Sequence, residues 1–236
     1  RVGARTLADA VEYTTGVRVE NNCQNCNFSQ VRLLGLEGPY TQILMDGQPT
    51  LSSLAQVYGL EQIPARLIDR IEVTKGGGAA LLGPGSVGGV INVITREPTT
   101  RGAQLDTSLG VMRGAPTLST AGAVDWVTGD KRGMITAYGQ ADRVEPIDLT
   151  GDGFTEVSRR ALDAGGVRAH RLLLDTRARL TVDASAFREA RRGGNALDLP
   201  PHEADIAEDI DTQRAAATVS WLHAPSARTD YRVTLS

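Results

Sequence analysis

Several signals that would place this 236-residue sequence quickly are missing from it. No uninterrupted apolar run approaches the roughly 18 residues of a membrane-spanning helix, which excludes a helical span. No stretch is basic: the net charge is −3, with 8 basic against 9 acidic side chains up to Glu97 and 17 against 19 beyond it. Nucleic-acid binding therefore has no support. Lysine is nearly absent, Lys75 and Lys131 being the two among 25 basic residues, a skew that coding bias explains. Aromatic residues make up only 4% of the chain. A Met start and the basic, apolar and small-residue succession of a signal peptide are also missing, so the chain reads as a processed or truncated piece. No motif assembles a His/Asp/Ser or Cys/His constellation, and the expectation is that the protein is not an enzyme.

What is plentiful is glycine, 26 residues in all, above the average usage of about 7% and favouring a turn-rich chain. The organisation changes near Pro98. Before it, Leu7, Ala10 and Val11 stand at helical spacing, with Thr6 as N-cap and Gly16 as the stop. Val31–Leu34, Gln42–Met45, Ile71–Thr74 and Val90–Ile94 read as strands, Asp46-Gly47 as a turn, and Pro64 as the start of a second helix through Ile68. This first unit is small α+β. Beyond Gly102 the alternation has period two: Leu105, Thr107, Leu109 and Val111 share one face, and Gln104, Asp106 and Ser108 the other. The same pattern runs through Leu118–Trp126, Leu180–Ala186, Ala215–Trp221 and Tyr231–Leu235, with Phe187 out of phase as if at a bulge. The opposite faces carry Asp125, Arg179, Asp183, Arg214 and Arg232. Such a face cannot line a β-sandwich. Short turns at Thr128–Gly133, Asp175–Arg177 and Ala224–Arg228 alternate with long polar stretches, as in an outer-membrane barrel. An ordinary soluble antiparallel sheet has the same period, so the pattern alone leaves both open.

The segment Ile71-Glu-Val-Thr-Lys-Gly-Gly-Gly-Ala-Ala-Leu-Leu-Gly-Pro-Gly-Ser-Val-Gly-Gly-Val-Ile-Asn-Val-Ile-Thr95 closely resembles the plug signature of TonB-dependent outer-membrane receptors. Thr6–Val17 is similar to the first plug helix, Val31–Gly35 to the arginine-glycine strand, Ile43–Pro49 to the "LIDG" strand and turn, and Ile63–Glu72 to the helix before the signature. The resemblance implies an α+β plug domain over residues 1–98. Antiparallel transmembrane β-barrel strands follow over 99–236, an incomplete barrel of about seven strands where plugged transporters have about 22. The glycines also have a local reason, because tight turns and close backbone approach leave no room for a Cβ. A phosphate loop is not what they form: Lys75 precedes the glycines, and the closing Lys-Ser or Lys-Thr is missing.

The resemblance implies energised import of a scarce substrate such as a siderophore, heme or cobalamin chelate. Its partners would be the TonB complex, outer-membrane lipid, a metal chelate or other small substrate, and a surface lipoprotein; no cofactor is required. Two departures leave room for an alternative, a non-transporting structural or docking subunit. The TonB-contacting box is missing, and Leu34 stands where the family commonly has an arginine that pairs with barrel carboxylates. Lys75 remains in register for that plug–barrel contact, and Arg32, on the same face as position 34, is the candidate substitute. In the family, loops corresponding to Asn21–Ser29 and Thr50–Tyr58 help to bind substrate. Asn22, Gln24, Asn25, Asn27, Ser52, Ser53, Gln56 and Tyr58 are the candidate binding residues. The implied periplasmic side of the cell envelope permits disulfides, and Cys23 and Cys26 are expected to form one across this first loop. Finally, Asp148, Thr150, Asp152 and Glu156 occupy positions 1, 3, 5 and 9 of a calcium loop with Gly153 at position 6, while position 12 is Arg159 instead of Glu. A structural calcium would need a ligand borrowed from elsewhere, and the acidic run Glu203–Asp211 is the candidate source.

Overall fold

A computed structural model describes residues 6–22, 28–49, 63–76 and 86–236. The first unit opens on helix α1 (Leu7–Glu12). The Thr6 hydroxyl accepts the Asp9 N–H at 3.4 Å, and the Asp9 carboxylate accepts the Thr6 N–H at 3.1 Å, a reciprocal cap for two otherwise unsatisfied donors. Strands β1 (Val17–Asn22) and β2 (Phe28–Leu33) form an antiparallel hairpin. A second sheet combines β3 (Thr41–Met45), β4 (Gln48–Pro49), β5 (Ile68–Lys75) and β6 (Gly89–Thr95) in the order β4-β3-β6-β5, with β3 and β6 parallel. Leu7, Val11, Leu33, Ile91 and Val93 meet in its core with no exposed surface. Asp46 and Gly47 have φ of +50° and +78°, the double left-handed turn for which Asp-Gly is suited. At Gly89, φ is +140°, and a Cβ would lie 2.2 Å from the Thr74 carbonyl oxygen and 2.5 Å from Leu33, so only glycine fits.

Three local expectations change. Helix α1 stops at Glu12, short of both Gly16 and Val17, because the Thr14 N–H already turns back to the Val11 carbonyl. The helix expected from Pro64 through Ile68 is one 3-10 turn, Ala65–Leu67, since the branched residues from Ile68 onward pair with β6 as β5. Strand β2 ends at Leu33, and Leu34 has φ +55°, so Arg32 and Leu34 do not share a strand face.

The second unit is one antiparallel meander: β7 (Gly102–Met112), β8 (Ala115–Val127), β9 (Gly133–Val144), β10 (Arg159–Leu173), β11 (Ala178–Gly194), β12 (Ala207–Ser226) and β13 (Thr229–Leu235), paired in chain order. Strands β7 and β13 are its open edges, so the sheet is not closed. Strands β9 and β10 escaped the pattern because their outward positions are small or mixed: Ala137, Gly139, Ala141, Asp163, Gly165 and Ala169. The register of β11 with β10 and β12 is continuous, so no bulge occurs at Phe187; it lies on the inward face, with the Arg214 guanidinium 5.2 Å from its ring centre.

Burial in this sheet is inverted. Leu109 is 81% exposed and Trp126 53%, whereas Asp142 is 3% and Glu189 1% exposed. Apolar side chains outside and charged ones inside are the reverse of a water-soluble sheet and match a wall whose outer face meets hydrocarbon. Along that outer face a row of charges, Arg143, Asp163, Arg188 and Asp211, crosses β9 to β12. Asp163 stands opposite Arg188, with ion pairs Arg143–Asp163 of 2.7 Å and Arg188–Asp211 of 3.1 Å. The row ends the apolar band on the side of the long connections 145–158 and 195–206, where charges can reach water.

Candidate functional site: the seat of the first unit against the barrel wall

The first unit sits against the inward face of the meander, and charged side chains from five of the seven strands hold it. Arg96, just after β6, grips Asp125 of β8 through two hydrogen bonds of 2.7 and 3.0 Å. The Thr136 hydroxyl of β9 donates to the same carboxylate at 2.8 Å. Asp125 is 6% exposed, so removing its guanidinium partner would strand a buried charge. Next along the chain, Glu97 pairs with Arg179 of β11 at 2.5 Å. Arg66, from the 3-10 turn, pairs with Asp106 of β7 and donates to Gln104 at 3.1 Å. The carboxylate of Asp46, in the β3–β4 turn, accepts from Arg168 of β10, while its main-chain oxygen accepts from Arg232 of β13 at 3.1 Å.

Between the units lies a cavity of about 1050 Å³. The Asp46–Pro49 turn, Asn92 and Glu97 line one side of it, and Tyr138, Arg168, Arg179, Asp183, Phe187, Arg214 and Arg232 the other. Apolar side chains such as Met45, Ile63, Leu67 and Ile94 share that lining with charges of both signs.

The two residues expected to make the plug–barrel contact are held inside the first unit instead. Arg32 pairs with Glu20 at 2.6 Å and approaches Glu37 at 3.9 Å, because antiparallel pairing of β1 and β2 sets it beside that acidic neighbour. The Lys75 ammonium donates to the Thr15 carbonyl at 2.5 Å. Among the described residues neither reaches the wall. The residues that do reach it, Asp46, Arg66, Arg96 and Glu97, look in sequence like ordinary surface charges, since their partners lie 29 to 186 residues away. Of the candidate binding residues, Asn22 ends β1 opposite Phe28. Gln24, Asn25, Asn27, Ser52, Ser53, Gln56 and Tyr58 lie outside the described residues, as do Cys23 and Cys26.

The loop between β9 and β10 does assemble three of its expected ligands. Asp148, Asp152 and Glu156 each place an oxygen within 4.8 Å of the others. Asp148 accepts the N–H groups of Gly153 at 2.7 Å and Gly151 at 2.6 Å; these bonds hold its carboxyl below the usual range. Glu156 accepts from Leu149 N–H at 2.5 Å and from the Thr150 hydroxyl at 3.0 Å, so Thr150 faces a carboxylate. The acidic run at Glu203–Asp211 is not part of this cluster: Asp205 is bound by Asn195 at 2.8 Å and Asp211 by Arg188.

Comparison with known proteins fits this geometry. Residues 1–90 match the profile described as the TonB-dependent receptor plug domain. The ferric enterobactin receptor PirA of Pseudomonas aeruginosa is 31% identical over 161 residues, 60% of this chain and 21% of that protein. The vitamin B12 transporter BtuB of Vibrio cholerae is 29% identical over 195 residues, 80% of this chain and 30% of that one. The chain thus spans between 21% and 30% of the length of these relatives. The unliganded ferric citrate transporter FecA shares the fold with a TM-score of 0.74 at 16% identity, over 99% of this chain and 37% of that one. Signature, sheet inversion and similarity agree: residues 1–90 are a plug domain of the TonB-dependent receptor type, and seven antiparallel strands with the fold of a partial barrel follow it.

Proposed function

We propose that this chain is the plug and adjoining wall of an outer-membrane importer that takes up a metal chelate of the siderophore, heme or cobalamin type, drawing energy through TonB. The observation that carries the reading is the seat itself: a plug held against an inverted sheet by ion pairs beside a cavity of mixed apolar and charged lining. A plug that never moved would be held better by apolar packing, whereas hydrogen-bonded charges can be passed to water or to new partners. Transport then requires only that a pull on the plug stabilise an unseated state more than the seated one. No covalent step enters. The relatives named as receptors for ferric enterobactin and as transporters of vitamin B12 support a chelate as cargo.

In this reading the loops at Asn21–Ser29 and Thr50–Tyr58 contact the cargo through Asn22, Gln24, Asn25, Asn27, Ser52, Ser53, Gln56 and Tyr58, and a Cys23–Cys26 disulfide shapes the first of them. Asp148, Asp152 and Glu156 would hold a structural calcium on the side of the long connections. A crystal grown with calcium and showing no ion there removes that element alone. The test of the whole is uptake: a strain lacking the full-length protein should lose accumulation of a labelled chelate that it takes up when TonB is present. Unchanged uptake of every chelate tried would favour a docking subunit, with a surface lipoprotein as the partner to seek.

A further inference from the structure

Asp46 differs from Arg96 and Glu97, which also touch the wall. Arg96 and Glu97 lie a few residues before β7, so their contacts can persist when the plug moves. Asp46 is far from the barrel along the chain, yet its carboxylate is shared between the two bodies. Oδ1 accepts the Thr95 N–H at 3.0 Å, and Oδ2 accepts both the Thr95 hydroxyl at 2.8 Å and a guanidinium nitrogen of Arg168. The other terminal nitrogen of Arg168 is 3.5 Å from Asp183 on the neighbouring strand β11. All three ionic side chains are largely buried, Arg168 being 14% exposed, Asp183 24% and Asp46 29%.

We propose that Asp46 and Arg168 form a latch between plug and wall that opens by hand-over, Thr95 keeping the carboxylate and Asp183 taking the guanidinium. An isolated buried ion pair resists separation because each half is left desolvated and alone. Here each half already touches its second partner on its own body, so separation strands neither charge. Asp183 also repels Asp46 directly, which loads the latch toward opening. The polarity is the opposite of the contact that the resemblance implies, with the carboxylate on the plug and the guanidinium on the wall. The inference rests on the reading of the first unit as a movable plug.

The test uses the full-length protein in planar bilayers, with urea added until unseating of the plug opens a conducting pore. Arg168→Gln, which leaves the plug sequence intact, should lower the urea midpoint for opening by about 1 M. Asp183→Asn should raise it, because the unseated state loses its acceptor and the seated state loses a repulsion. Arg168→Lys, with its charge kept and the fork removed, should fall between wild type and Arg168→Gln and guards against a folding defect. An unchanged midpoint in Arg168→Gln overturns the latch. A lowered or unchanged midpoint in Asp183→Asn overturns the hand-over. Both midpoints are read without any cargo, so shifts of the expected sign beside a wild-type protein that imports no chelate would sink the import reading and leave the latch standing.

Discussion

The plug and the wall answer the same physical demand in opposite senses. In the plug, Leu7, Leu33 and Ile91 have no exposed surface, and apolar side chains gather in the interior, as water outside requires. In the wall, Leu105 is 75% and Leu109 81% exposed while Asp125, Gln140 and Arg191 are buried. Neither pattern is the more hydrophobic; they differ in which side the solvent is apolar. The two units meet through ion pairs and hydrogen bonds, beside a cavity whose lining mixes apolar and charged side chains. This explains why the seat is made of Arg66, Arg96, Glu97 and Asp46.

That contrast breaks most easily in the plug core. Leu33→Ala should destabilise the plug by about 2–5 kcal/mol, whereas Val182→Ala on the outer face of β11 should cost under about 1 kcal/mol, since the two methyls lost to lipid leave no cavity. Urea unfolding of both variants in the full-length protein decides it, and equal losses would abolish the distinction. Arg96→Ala comes next: stranding Asp125 should loosen the seat by about 3 kcal/mol, visible as proteolysis of the plug at lower denaturant, while Arg66→Ala, whose partner Asp106 is half exposed, should cost at most about 1 kcal/mol. Val182→Arg sharpens the membrane side. In a bilayer it should cost about 2–4 kcal/mol of barrel stability; a change near zero would mean that this face meets water. In the plug, Thr6→Ala removes one half of the α1 cap and should cost about 1 kcal/mol, read from the same urea curves.

The smallest effect lies in the β8–β9 turn. There the Thr128 hydroxyl, then the Arg132 N–H and Arg171, lower the Asp130 carboxyl from 3.8 to about 2. Because the folded value is the lower one, this contribution is complete above pH 3.8 and is lost as the pH falls toward 2. An NMR titration in which Asp130 still titrates near 3.8 would refute it. The side chain is about half exposed, so global stability should scarcely follow.

Much of the fold was legible because its patterns are local. The branched runs at Gln42–Met45 and Val90–Ile94, the Asp46-Gly47 turn, and the strict alternation in β7 and β8 each declare themselves within a dozen residues. Strands β9 and β10 did not, since alanine and glycine on their outer faces blur the contrast on which period two depends. The helix expected after Pro64 failed for another reason: Ile68, Ile71 and Val73 suit either structure, and the β6 edge beside them decided for strand. The seat was the least legible part. Lys75 stands where the resemblance puts a plug–barrel contact and Arg32 is the candidate substitute for Leu34, yet a carbonyl and a carboxylate within the plug lie closer to each than the described wall does.

By itself the sequence determined the family signature and the alternation that turns one face of a sheet toward lipid, because glycine tolerance and period two are properties of neighbouring residues. Only the tertiary structure decided which charges meet. Ion pairing between Asp46 and Arg168 spans 122 residues of chain, and no local preference distinguishes those two side chains from other surface charges until the sheet curves and sets them face to face.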